Sequence, residues 1–232
     1  MVIVRENCEG LYVREEFSEG EGKAVARRVM TRDGSRRVAK AAWQIACRRA
    51  RRRTPPRAAI TVVHKANVLS LTDGLFRQTA RAALEESAQA HPEISLTVEE
   101  RLVDAMAMLC VKAPERLDVL LAPNLYGDIL SDLAAALVGG LGLAPSVNIG
   151  AGPPLAEPVH GSAPDIAGQG IANPLAAILS AGLLLEQWGL EAQARRLENA
   201  VAETLAAGIL PPDLGGAAST RTLADAIVNR LR

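Results

Sequence analysis

The chain has 232 residues, enough for one large domain or two small ones with a sizeable core. With 49% hydrophobic and 22% charged residues it is globular in composition. Its 26 basic residues balance 26 acidic ones, so no global field selects nucleic acid or an anionic membrane, and an aromatic share of 3% offers no stacking surface for bases. Cys8, Cys47 and Cys110 have neither disulfide nor metal spacing, which points to a reduced compartment. The opening MVIVRENC carries no signal peptide, and no apolar run reaches the ~18 residues of a membrane span. A cytoplasmic, soluble protein is expected.

In chain order, MVIV reads as a strand that begins with no polar lead-in, as if the chain started in the middle of a fold. Arg5, Glu6, Glu9 and Tyr12 then cluster around Gly10. Residues 17–34 are charged and glycine-bearing, an exposed arm or hairpin. SRRVAKAAWQIACRRARRR is an amphipathic helix that ends in Arg48, Arg49, Arg51, Arg52 and Arg53 before Pro55-Pro56. Those arginines could form a nucleic-acid patch, but cations at a helix C-terminus followed by Pro-Pro are the simpler reading. AAITVVHKANVL is a strand whose exit carries His64, Lys65 and Asn67, and residues 71–90 form a helix. A further strand leads to Asp104 and a short helical piece, and LDVLLAP is a buried strand. The strand–helix alternation argues for an α/β fold.

The next stretch, PNLYGDILSDLAAALVGGLG, organises the rest. Asp128 and Asp132 lie at i and i+4, which stacks two carboxylates on one helix face. Asn124 and Gly127 belong to a turn that could start the helix there, with Asp128 in its first turn. Two like charges beside an apolar run call for a cation, whereas the alternative makes Asp128 a helix-start residue and Asp132 a solvated charge. The segment from Ala144 to Pro174 reads as one long Gly/Pro/Ala loop of the length that usually carries function, closing on Asn173-Pro174 as helix cap and first residue. Three helices follow, over about 174–189, 191–207 and from 220.

Asp104, Asp128 and Asp132 are suited to a hard divalent cation. The planar fork of Arg5 suits a substrate carboxylate, and Lys65 and Tyr12 could carry protons.

VIVRENCEGLY, VVHKANVL, RLVDAMAM, PNLYGDILSD and EPVHGSAPDIAGQGIANP, in that order, resemble the β-decarboxylating 2-hydroxyacid dehydrogenases: isocitrate, 3-isopropylmalate, homoisocitrate and tartrate dehydrogenases. RENCEGLY and GGLGLAPSVNIG look closer to the homoisocitrate branch and its isocitrate neighbours. The resemblance implies an isopropylmalate dehydrogenase-like α/β fold and NAD- and metal-dependent oxidative decarboxylation of a small 2-hydroxy acid in a homodimer with shared active sites. Arg5 and Asn67 would bind substrate, and Tyr12 would protonate the carbon left by decarboxylation. Asp128 and Asp132 would hold Mg²⁺ or Mn²⁺ together with Asp104 of the other subunit, whose Lys65 would act as base. His160, Gly161, Ala163 and Asp165 would line the adenosine end of the cofactor, with Asn173 near the adenine. Asp165 would repel a 2′-phosphate, favouring NAD. No GxGxxG occurs, and this family does not use that fingerprint.

The family's first strand, glycine-bearing loop, nicotinamide loop and further substrate arginines have no counterpart here, so the resemblance implies an N-terminally truncated form. Cys8 stands where Thr or Ser is usual, and Ala105 and Leu109 replace polar neighbours of the metal aspartate. The expected division is residues 1–138, a dimerising domain with an arm over about 13–34, and 139–232, the C-terminal portion of a cofactor domain. Uncovered sheet edges and apolar helix faces predict association of the chain alone. Two other readings stay open: a non-catalytic dimerising module, and a generic α/β domain.

Overall fold

The computed structural model describes residues 1–232, which divide into two compact units, 1–134 and 135–232. The first unit is built on a four-stranded sheet of β1 (Val2–Arg5), β4 (Arg57–His64), β5 (Ser95–Leu102) and β6 (Val119–Ala122) in the order β1-β6-β4-β5. Every pairing is parallel, with Val2 opposite Val119, Ile60 opposite Val119 and Arg57 opposite Ser95. A parallel sheet needs helices on both faces, and side-chain alternation supplies two cores. Val4, Ile60, Val62, Val119 and Leu121 face α1 (Arg32–Ala50) and α2 (Thr72–Gln89), whose Trp43, Phe76 and Leu84 complete that core. Val63, Leu120 and Ala122 turn the other way, against Met106 and Cys110 of α3 (Val103–Lys112) and Leu130 of α4 (Asn124–Leu137). Burying side chains such as Phe76 and Leu84 contributes about 1.5–3 kcal/mol each. All four residues of β6 are buried, as a central strand covered on both faces requires.

The hairpin is β2 (Gly10–Ser18) with β3 (Ala24–Val29), a shorter and earlier element than the arm expected over 13–34. α1 starts at Arg32, because the Thr31 hydroxyl accepts from the Gly34 amide and caps it. Two of the arginines at and just past its other end are structural: Arg49 and Arg53 hold the buried Asp118 at 2.6 and 2.8 Å.

The second unit packs α5 (Leu175–Gln187), α6 (Glu191–Ala206) and α7 (Thr220–Leu231) around Leu175, Val201, Leu223 and Ile227. The stretch read as one loop contains a ribbon, β7 (Pro145–Asn148) antiparallel to β8 (Leu155–Pro158). Its strands are four residues long and half-exposed, too short and too proline-rich to stand out in the sequence. No helix is long and apolar enough to cross a membrane.

Candidate active site

Because the four strands run parallel, their carboxyl ends share one edge of the sheet, where open α/β sheets bind ligands. Arg5 ends β1, His64 ends β4 with Lys65 next, Asp104 lies two residues past the end of β5, and α4 opens two residues past the end of β6. The residues singled out in the first unit therefore converge at one end of the sheet, in two clusters.

In the first, the Arg5 guanidinium donates to Asn124 Oδ1 from Nε at 2.9 Å and from Nη2 at 2.7 Å, and to Asp128 Oδ1 from Nη1 at 2.5 Å. The Tyr12 hydroxyl donates to the other Asp128 oxygen, and the guanidinium lies 5.0 Å from the Tyr12 ring centre. Asn124 turns its amide onto the Glu9 carbonyl at 3.1 Å, fixing which face its oxygen presents. Gly127 is required by this packing: a Cβ there would lie 2.7 Å from Arg5 Cγ. The loop between is set by the buried Glu6 carboxylate, which accepts from the amides of Cys8 and Glu9 at 3.0 and 2.8 Å. The hydrogen bond with Asp128, then burial, raises the Tyr12 phenol above its ordinary value. Asp128 lies in the second turn of α4, not the first, because the helix opens at Asn124. Asp132 is one turn further on, exposed.

The second cluster pairs Lys65 Nζ with Asp104 Oδ1 at 2.6 Å. Asp104 sits in the first turn of α3, and the Lys65 ammonium, then the helix-terminal amides, hold its carboxyl below the usual range. His64 is buried and its ring is pushed toward the neutral form by that burial; its Nδ1 accepts from the Ala66 amide at 3.2 Å. Asn67 lies exposed in the turn that follows. The structure brings Asp104 to Lys65 and not to Asp128 and Asp132; no three-carboxylate group forms within the chain.

Residues missed by reading the sequence lie underneath. Asp73 is fully buried, accepts from the Lys65 amide at 2.6 Å and meets Arg28 Nη1 at 2.6 Å. Nothing in TDGLF marks its aspartate as buried rather than as an ordinary first-turn acid, since burial is decided by β3 and α4 arriving from elsewhere.

In the second unit, Gly161, Ala163 and Asp165 are exposed, and the half-buried His160 turns its Nδ1 to the Gly161 carbonyl at 2.9 Å. Ala163 is left-handed, φ 43°, immediately before the short 3₁₀ turn Pro164–Ile166, a strained conformation for a residue that precedes proline. Asn173 lies one residue before the cap of α5, its oxygen accepting from the Leu175 amide at 2.9 Å and its amide donating to Asp213 at 3.0 Å. Pro174 occupies the cap position itself, so the helix opens one residue later than the sequence implied.

A sequence model of isocitrate/isopropylmalate dehydrogenase matches residues 1–227. The chain is 52% identical over 200 residues to isocitrate/homoisocitrate dehydrogenase of Thermus thermophilus, covering 86% of this chain and 56% of the relative. It is 48% identical over 189 residues to homoisocitrate dehydrogenase of Methanocaldococcus jannaschii, covering 82% and 50%. The crystal structure of isocitrate dehydrogenase from Methylococcus capsulatus superposes with a TM-score of 0.85 at 46% identity, over 99% of this chain and 66% of that one. The chain thus spans about half the length of the curated relatives it matches. With five ordered motifs, a shared fold and identity near one half along most of its length, the chain belongs to the isocitrate/isopropylmalate dehydrogenase family.

Proposed function

We propose that the chain serves NAD- and Mg²⁺- or Mn²⁺-dependent oxidative decarboxylation of a 2-hydroxy di- or tricarboxylic acid, homoisocitrate foremost, as a homodimer whose active sites combine residues of both subunits. The observation that carries this is the Arg5–Asn124–Asp128–Tyr12 cluster at the same sheet end as Lys65–Asp104.

The donor set fits a hard cation: carboxylate oxygens only, with Asp128 and Asp132 one turn apart and Asp128 42% exposed. Asp128 and Asp132 of one subunit with Asp104 of the other would hold it. Bound, the cation would polarise the substrate's hydroxyl and neighbouring carboxylate, and NAD would accept the hydride. Arg5, now neutralised by Asp128, would turn its fork to a substrate carboxylate once that aspartate is engaged elsewhere. Lys65 would take the hydroxyl proton, and Tyr12, held at its hydroxyl by Asp128, would return a proton to carbon after CO₂ leaves. Asn67 would hydrogen-bond substrate from the Lys65 turn. The exposed loop of His160, Gly161, Ala163 and Asp165 would meet the adenosine moiety; the Asp165 carboxylate would accept from ribose hydroxyls and repel a 2′-phosphate, favouring NAD. Asn173, whose amide is already engaged by Asp213, would contribute to the adenine site by shape.

The test is NADH formation by the purified chain with Mg²⁺ or Mn²⁺ on homoisocitrate, isocitrate, isopropylmalate and tartrate separately, beside Mn²⁺ binding followed by electron paramagnetic resonance. Asp128→Asn is expected to abolish both. Undiminished Mn²⁺ affinity in that variant would sink the metal assignment. A second reading is a non-catalytic dimerising module. It predicts a folded dimer with no turnover on any of the four acids.

A further inference from the structure

Beneath the Lys65 turn lies a charged pair that this chemistry leaves unused. Asp73 Oδ2 accepts from the Lys65 backbone amide at 2.6 Å, while the Lys65 carbonyl accepts from the amides of Val68 and Leu69, both at 2.9 Å. Both sides of Lys65 are therefore pinned, which sets the direction of its Cα–Cβ bond and leaves the side chain to reach Asp104. The other Asp73 oxygen meets Arg28, whose side chain is 12% exposed. The Arg28 guanidinium lies 5.1 Å from the Tyr126 ring centre and donates to its hydroxyl at 3.3 Å. Arg28 comes from the hairpin that carries Tyr12, and Tyr126 precedes Asp128 by two residues on α4. One buried carboxylate thus references the Lys65 turn to the two elements that carry the first cluster.

Asp73 also sits in the first turn of α2, where the macrodipole favours an acid. An acid serving the dipole alone could remain in water. This one is fully desolvated, with one oxygen on the Lys65 amide and the other on a nearly buried arginine, which is the placement of an orienting group. We propose that Asp73 is a positioning residue for Lys65, which it aims through the backbone in register with the hairpin and α4; the proposal rests on the reading of Lys65 as the proton acceptor.

Two double variants of the full chain isolate the hydrogen bond without stranding a buried charge: Asp73→Asn with Arg28→Met keeps an acceptor for the Lys65 amide, and Asp73→Ala with Arg28→Met removes it. Each is pulsed with acetic anhydride, without metal or substrate, and acetylation of Lys65 is read by mass spectrometry against the exposed Lys23, Lys40 and Lys112. The asparagine double is expected to keep Lys65 as shielded as in the parent, and the alanine double to expose it about five-fold, the ratio of one net hydrogen bond. Equal acetylation of Lys65 in the two doubles overturns the proposal. If the alanine double does not fold, Asp73→Leu with Arg28→Met fills the space and gives the same contrast. In an assembly that turns over, kcat of the acceptor-free variant is expected to fall about a hundred-fold at unchanged KM. A matching fall in both doubles would instead mark Asp73 as structural. Since the acetylation contrast needs no turnover, an inactive parent that shows it would refute the dehydrogenase reading while leaving the positioning of Lys65 intact.

Discussion

At Gly127 a hydrogen in place of a side chain is what allows Arg5 to reach both Asn124 and Asp128. Gly→Ala within a helix ordinarily stabilises by about 0.5–1 kcal/mol. Here the added methyl would lie 2.7 and 2.8 Å from Arg5 side-chain carbons and 3.3 Å from its Cα, so backbone cannot give way cheaply. Gly127→Ala is expected to reverse the sign, destabilising by about 1–3 kcal/mol in urea denaturation. Asp118 makes a second prediction. Burial pushes its carboxyl up, but hydrogen bonds and charge from Arg53 and Arg49 outweigh that and hold it below the ordinary range. A carboxyl whose value is lower folded than unfolded contributes stability that is complete above its unfolded value, about 3.9, and is lost as pH falls through the folded one. Asp118→Asn should therefore cost about 1.5–3 kcal/mol at neutral pH. The gap from the parent should narrow below about pH 4 in equilibrium unfolding. A gap constant down to pH 2 would contradict this. Neither residue's setting was legible in the sequence: LDVLLAP discloses a strand, and only the return of α1 brings two arginines to its first acid.

The hairpin is the element least supported by its own packing. Beyond its root at Gly10, the residues of β2 are exposed or half-exposed, Phe17 at 47%, and a two-stranded ribbon is marginal in water. Arg28, paired with Asp73, ties it to the first turn of α2. Replacing residues 16–26 with a two-residue turn is expected to leave thermal unfolding of the first unit nearly unchanged and to abolish dimerisation in sedimentation velocity. A persistent dimer would remove the hairpin from the interface. The charged composition of residues 17–34 disclosed an arm, but its bounds were displaced. Strand pairing begins at Gly10, where φ is +80°, and a register irregularity separates Gly10 from Glu15. The short ribbon of β7 and β8 was not visible, because four-residue strands carry too little alternation to separate from a loop.

For the whole chain, two units carry separate cores, and each leaves apolar surface uncovered: Met108, Val111 and Ile129 in the first, Trp188, Leu190 and Leu155 in the second, with Trp188 at 59% exposure. Surface of this kind drives association. The chain alone is expected to sediment as a dimer when dilute and to associate further as its concentration rises, with a shift of Trp188 emission to shorter wavelength on concentration in a Trp43→Phe background. A dimer that stays monodisperse on concentration would count against this. By itself the sequence determined the α/β class, nearly every long helix and strand, and the family. These rest on periodicity and on ordered motifs, which are local along the chain. Only the tertiary structure decided that Arg5 is held by Asn124 and Asp128, that Lys65 pairs with Asp104, and that Asp73 is buried beneath it. Those contacts join residues between 8 and 123 positions apart, and which of them meet depends on the strand order of the sheet.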